Sequence, residues 1–123
     1  MDTPNLQKKP LTEQEIRDRL QKLIIVEIKL LDKNNTLAAA NIILPLGSSI
    51  GTLSISGFLI FNSSKENPIL GANINITPPS RQVFNKYYPQ VYFSKKEFWN
   101  LLQKMIFEKY LLTKEEQLKK VLI

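Results

Sequence analysis

The chain has 123 residues, of which 43% are hydrophobic and 23% charged, and this length and composition suit a single folded domain. It contains neither cysteine nor histidine, which excludes disulfides, cysteine–histidine zinc sites and mechanisms that need a thiol nucleophile or an imidazole base. The net charge is +6, and residues 81–123 carry nine basic and four acidic side chains, a net of +5. A localised positive charge favours a polyanionic partner, with solubility as the alternative explanation.

The chain opens with residues 1–11, which contain two prolines and no periodic pattern and therefore predict a flexible lead-in to a domain over 12–123. Thr12 and Glu15 match the S/T-x-x-E capping box, which predicts a short surface helix over about 12–22. We find no targeting segment and no apolar run near the roughly 20 residues of a membrane helix. A cytoplasmic protein with no membrane partner is therefore the default expectation.

Two strands follow, because the apolar period changes to two. Val26, Ile28 and Leu30 alternate with charged residues, and the polar segment 32–35 supplies a turn. The second strand is predicted over 36–44.

A third strand is predicted over 52–61 and a fourth over 70–77, with a turn at 62–68 between them. In the third strand, one face is predicted to carry the apolar residues Leu53, Ile55, Leu59 and Phe61. Phe58 and Ile60 then occupy the other face, part of which must also be covered. Pro78 and Pro79 end the fourth strand, because proline donates no ladder hydrogen bond.

The remaining sequence predicts a polar, aromatic loop, a short apolar run over 91–93, and then helices. Ser94 and Glu97 form a second capping box, and the helix after them carries an amphipathic stripe that should lie on the sheet. Thr113 and Glu116 repeat the signal and predict a separate final helix. The predicted fold class is therefore α+β: a four-stranded antiparallel meander with a short N-terminal helix, an amphipathic C-terminal helix and a short final helix.

Enzymatic motifs are weak in this sequence. The paired acidic residues stand in predicted first helical turns, where they complement the helix dipole. The segment 47–51 lacks the Lys-Ser/Thr that follows a phosphate-binding loop, and 32–35 lacks the later ligands of a calcium loop. We expect no catalytic residue, metal, cofactor or small-molecule substrate.

Cations and aromatic rings alternate near the start of the basic region, a combination that can bind phosphates and stack on bases. The candidate residues are Arg81, Lys86, Tyr87, Tyr88, Lys95 and Lys96. For each residue singly, a packed tyrosine or a solvated lysine is an equally good explanation. Together with the local charge, the group favours a polyanion-binding surface.

The order of elements resembles the SpoVG family, small bacterial regulators named after a septation and sporulation protein. The similarity covers about residues 24–110: a Val26–Ile28 strand, an alanine-rich return over Leu37–Ile42, the strand Ile55–Ile60, and a Pro79-Ser80-Arg81 segment. Gln82 stands where the family favours lysine. A weaker similarity, through Ser94 and Trp99, is to the PC-four type transcription coactivators.

The resemblance implies a homodimer formed through the sheets and a role in transcription regulation. It also implies that DNA or RNA is bound by basic residues around the C-terminal helix, here Arg81, Lys95, Lys96 and Lys104. The alternative is a non-enzymatic interaction or structural module that docks on another protein through Trp99, Phe107 and Val121–Ile123.

Overall fold

The computed structural model describes residues 10–122 and has the predicted α+β architecture. Two helices, α1 (Glu13–Leu23) and α2 (Lys96–Leu122), accompany two sheets. The main sheet contains β1 (Ile25–Lys33), β2 (Thr36–Gly47), β3 (Gly51–Asn67) and β4 (Ala72–Thr77). The second contains only β5 (Ser80–Val83) and β6 (Lys86–Pro89). Most of the predicted lead-in, residues 1–9, lies outside the described residues, as does Ile123.

The main sheet is the predicted antiparallel meander, with strand order β1-β2-β3-β4. Its alternation is clearest in β1, where Val26 is buried opposite Ile42 and Glu27 is exposed opposite Asn41. Glu27 also accepts a hydrogen bond of 3.1 Å from the Asn41 side chain. The sheet therefore has a core face, covered by α2, and an opposite face that we call the outer face.

In the second half of β3, the side chains lie on the opposite faces from those predicted, because the strand contains a bulge. Ala40 pairs with Phe58 but Asn41 pairs with Ser56, which leaves Gly57 as an extra residue. Gly57 has a φ of 103°, a conformation that favours glycine. Beyond the bulge, Phe58 is fully buried in the core, whereas its neighbour Leu59 is only half-buried on the outer face.

The core lies between the sheet and α2. Leu102, Ile106 and Tyr110 are buried along the helix and belong to the same apolar cluster as Phe58. Trp99 stacks on Phe58 with ring centroids 6.2 Å apart and on Phe93 at 5.3 Å. Trp99 is thus a partly buried part of this fold, as is Phe107, which stacks on Tyr110 at 6.4 Å.

Both helices test the capping predictions. The Thr12–Glu15 capping box is present at α1, which has no buried residue, as a surface helix requires. The prediction of a separate final helix is wrong, because α2 is continuous to Leu122. The Thr113 hydroxyl donates to the Lys109 carbonyl at 2.7 Å, so it bonds within the helix instead of capping a new one. α2 itself begins at Lys96, one residue later than a cap at Ser94 predicts.

Two segments predicted as irregular are strands. β3 continues through residues 62–67, where a turn was predicted, and the predicted loop after Pro79 contains the β5–β6 hairpin. The apolar run 91–93 forms no strand.

We predict that Gly57→Ala lowers the free energy of unfolding by about 1–3 kcal/mol, because the bulge needs a positive φ. An added Cβ would also lie 3.2 Å from the Pro79 Cβ. Gly71→Ala is the matched control, since Gly71 has a φ of 65° but open space around it. We expect the control to lose only about 1 kcal/mol in urea unfolding. Equal losses would show that the approach of Pro79 is unimportant.

Candidate nucleic-acid interface

Four of the predicted site residues lie on the β5–β6 hairpin. Arg81 pairs with Tyr88, and Val83 pairs with Lys86. Because paired residues share a face and faces alternate along a strand, Arg81, Lys86 and Tyr88 project from one side. We call this side the cationic face. Tyr87 pairs with Gln82 and projects from the other side, toward the main sheet.

All four of these side chains are accessible, with 69% of Tyr87 and 49% of Tyr88 exposed. Tyr87 borders the outer face of the main sheet and Tyr88 does not, and both rings stay accessible. Between Ser80 and Lys96 the sequence contains no acidic residue. The cationic face thus combines two positive charges with an accessible ring, and no carboxylate in that segment offsets them.

The hairpin tip exposes an aromatic ring that the sequence analysis missed. Phe84 is 93% exposed and has a φ of 56°, a left-handed conformation that is unfavourable for a bulky residue. The turn between β1 and β2 has nearly the same φ at Asn34, 57°, and asparagine tolerates a positive φ. Tyr92, 88% exposed just after the hairpin, was also missed.

The remaining predicted lysines lie on a different surface. Lys95 lines a groove between the helices with Ile16 and Phe98, and Lys104 lines an adjoining groove with Arg17. Glu97 lines both grooves and Glu13 lines the first, so carboxylates accompany these lysines. Lys96 is the first residue of α2 and is exposed.

Two other lysines of the basic region have partners within α2. Lys119 forms an ion pair with Glu115 at 3.5 Å, and the Lys114 ammonium lies 5.4 Å from the centroid of the Tyr110 ring. The net charge of the region is therefore distributed over several surfaces, and part of it is locally compensated.

Within residues 10–122 we find no acidic cluster suited to a metal ion. No helix in that range is both long and apolar enough to span a bilayer. Comparison with protein-family models, with curated proteins and with solved structures finds no match to this chain. The resemblance to the SpoVG family accordingly stays a prediction.

We predict that Phe84→Asn raises the free energy of unfolding by about 1 kcal/mol, because asparagine relieves the strain at the tip. The reciprocal variant Asn34→Phe places a bulky residue in the equivalent turn and should lower it by about the same amount. Urea unfolding of both variants and of the unmodified protein measures these changes in the free energy of unfolding. A loss of stability in Phe84→Asn would show that the exposed ring supports the fold.

Proposed function

We propose that the protein is a dimeric, non-enzymatic regulator of the cytoplasm that binds nucleic acid, similar in this respect to the SpoVG family. The observation that carries the proposal is the cationic face of the β5–β6 hairpin, where Arg81, Lys86 and Tyr88 project together. Binding occurs mainly through phosphates, which explains why cations rather than a shaped recognition helix form the site.

Each side chain of the cationic face has a role suited to its chemistry. The planar Arg81 guanidinium donates two parallel hydrogen bonds to one phosphate, and Lys86 contributes a point charge. Tyr88 lies directly opposite Arg81 and stacks on a base or sugar beside the bound phosphate.

A second, weaker contribution to nucleic-acid binding comes from Lys95, Lys96 and Lys104. Lys96 begins α2, where the positive end of the helix dipole also attracts anions. The neighbouring Glu97 and Glu13 reduce the local potential at Lys95. We therefore expect Lys95→Glu/Lys96→Glu to weaken binding broadly, but less than the loss of the cationic face.

The proposed dimer forms through the main sheet. On its outer face, Ile25 is 50% exposed and pairs with the half-buried Ile43. Burying these side chains against a second copy supplies apolar contact, and the Glu27–Asn41 hydrogen bond borders them.

A protein-interaction module is the second candidate function. The end of α2 favours it, because Leu118 is 58%, Val121 75% and Leu122 83% exposed. Trp99 and Phe107 no longer support this alternative, since both rings pack within the fold. An apolar interface of this kind should hold or strengthen as salt rises, in contrast to phosphate contacts.

We predict that Arg81→Ala/Lys86→Ala weakens nucleic-acid binding about tenfold or more and reduces the slope of log affinity against log salt by about 2. The measurement is fluorescence anisotropy with labelled single-stranded DNA, duplex DNA and RNA at about 50 and about 200 mM salt. Oligomer mass is recorded in the same buffers.

The control is Lys119→Ala/Lys120→Ala, which removes the same charge from the far end of α2. We expect it to leave the affinity and the salt slope close to those of the unmodified protein. Equal losses of affinity in both double variants would show that net charge, and not the cationic face, determines binding. An absence of binding at low salt would overturn the proposed function.

A further inference from the structure

An apolar cleft lies between the β5–β6 hairpin and the outer face of the main sheet. Its volume is about 440 Å³, within the roughly 300–1,000 Å³ range of small-ligand pockets. Leu59 and Phe61 line it from β3, and Tyr87 lines it from the hairpin. It is distinct from the cationic face, which is on the other side of the same hairpin.

The bulge at Gly57 builds this cleft. It places Leu59 and Phe61 on the outer face, where they are half-buried, instead of in the core. It also lets Pro79 approach the strand, because a side chain at position 57 would meet the proline ring. The Gln90 backbone N–H then donates to the Pro79 carbonyl at 2.7 Å, which holds the base of the hairpin closed.

The lining suits a flat aromatic ligand with polar edges. It is mostly apolar and contains two aromatic rings, Phe61 and Tyr87, from the two sides of the cleft. Thr77 and Tyr87 bring hydroxyl groups that can hydrogen-bond to the edge of a heterocycle. Since 69% of Tyr87 is exposed, the cleft is open to solvent.

The position of the cleft beside the cations indicates where such a ring comes from. Lys86 and Tyr88 flank Tyr87 in β6 and project from its opposite face. The hairpin is a ribbon of two strands about 5 Å apart, so a single flexible chain can contact both faces. An anionic polymer with aromatic side groups fits this arrangement.

We propose that the cleft binds an unpaired base of a single-stranded nucleic acid whose phosphates contact the cationic face. This inference rests on the proposed function and narrows its ligand. A paired base within a duplex is stacked on both faces and cannot enter, so the protein distinguishes single strands from duplexes.

The test compares three labelled probes of equal length, each at about 50 and about 200 mM salt: oligo-dT, an abasic oligodeoxynucleotide with the same phosphates, and a duplex. We expect oligo-dT to bind about fivefold to a hundredfold more tightly than the abasic strand. Tyr87→Ala should reduce that difference to the part that stacking on Tyr88 supplies, and should change the affinity for the abasic strand much less. Tyr87→Phe is the matched control and should retain most of the difference.

Leu59→Trp, which fills the cleft, should likewise reduce the preference for oligo-dT. If this variant unfolds, Tyr87→Ala still tests the inference, because Tyr87 lies on the exposed hairpin and its loss should leave the core intact. Equal, salt-sensitive binding of oligo-dT and the abasic strand would overturn the inference and leave the proposed function standing. Failure of all three probes to bind at low salt would overturn both, and the cleft would then suit an aromatic side chain of a protein partner.

Discussion

The extra residue at Gly57 determines which side chains of β3 enter the core and which stay outside. Before the bulge, Ile55 faces the same side as Ile42; after it, Phe58 and Ile60 do so, three and five residues later. Without the bulge, the residues that fill the core beneath α2 would face outward, because a shift by one residue inverts every later side chain. The core and the outer cleft therefore depend on one backbone conformation, φ 103°, that glycine adopts most readily.

A second conformational constraint lies at the tip of the β5–β6 hairpin. The Asn34 and Phe84 turns share nearly the same φ, yet only Asn34 is a residue suited to it. The Phe84 ring is almost fully exposed and gains little free energy from burial. Packing within the protein therefore does not explain why phenylalanine stands at this position. Strain that persists without a packing benefit is typical of functional positions. The strained tip supports the proposed function of this hairpin independently of its charge.

The sequence predicts the regular elements well and the irregular ones poorly. Alternation at Val26 and Ile28 and the Thr12–Glu15 box identify β1 and α1 because neighbouring residues determine those features. In the sequence, a bulge shows only as an exchange of the apolar residues from one face of the strand to the other. The faces predicted for the second half of β3 are therefore wrong. The hairpin was missed because Phe84 stands where turn rules expect asparagine or glycine. At the candidate site, Arg81 and Tyr88 could be grouped by proximity in sequence. The separation of Lys95 and Lys104 from them depends on how α2 packs on the sheet.

Net charge is a poor guide to where a polyanion binds. At physiological salt, charges interact over about 8 Å, so each lysine acts with its neighbours and not with the whole region. Lys119 beside Glu115 and Lys95 beside Glu97 are partly compensated at that range. Arg81 and Lys86 are only two of the nine basic residues in the region, but they share one face with an accessible ring and stand in a segment free of carboxylates. Under the proposed function, phosphate affinity should therefore follow this arrangement rather than the total charge of +5.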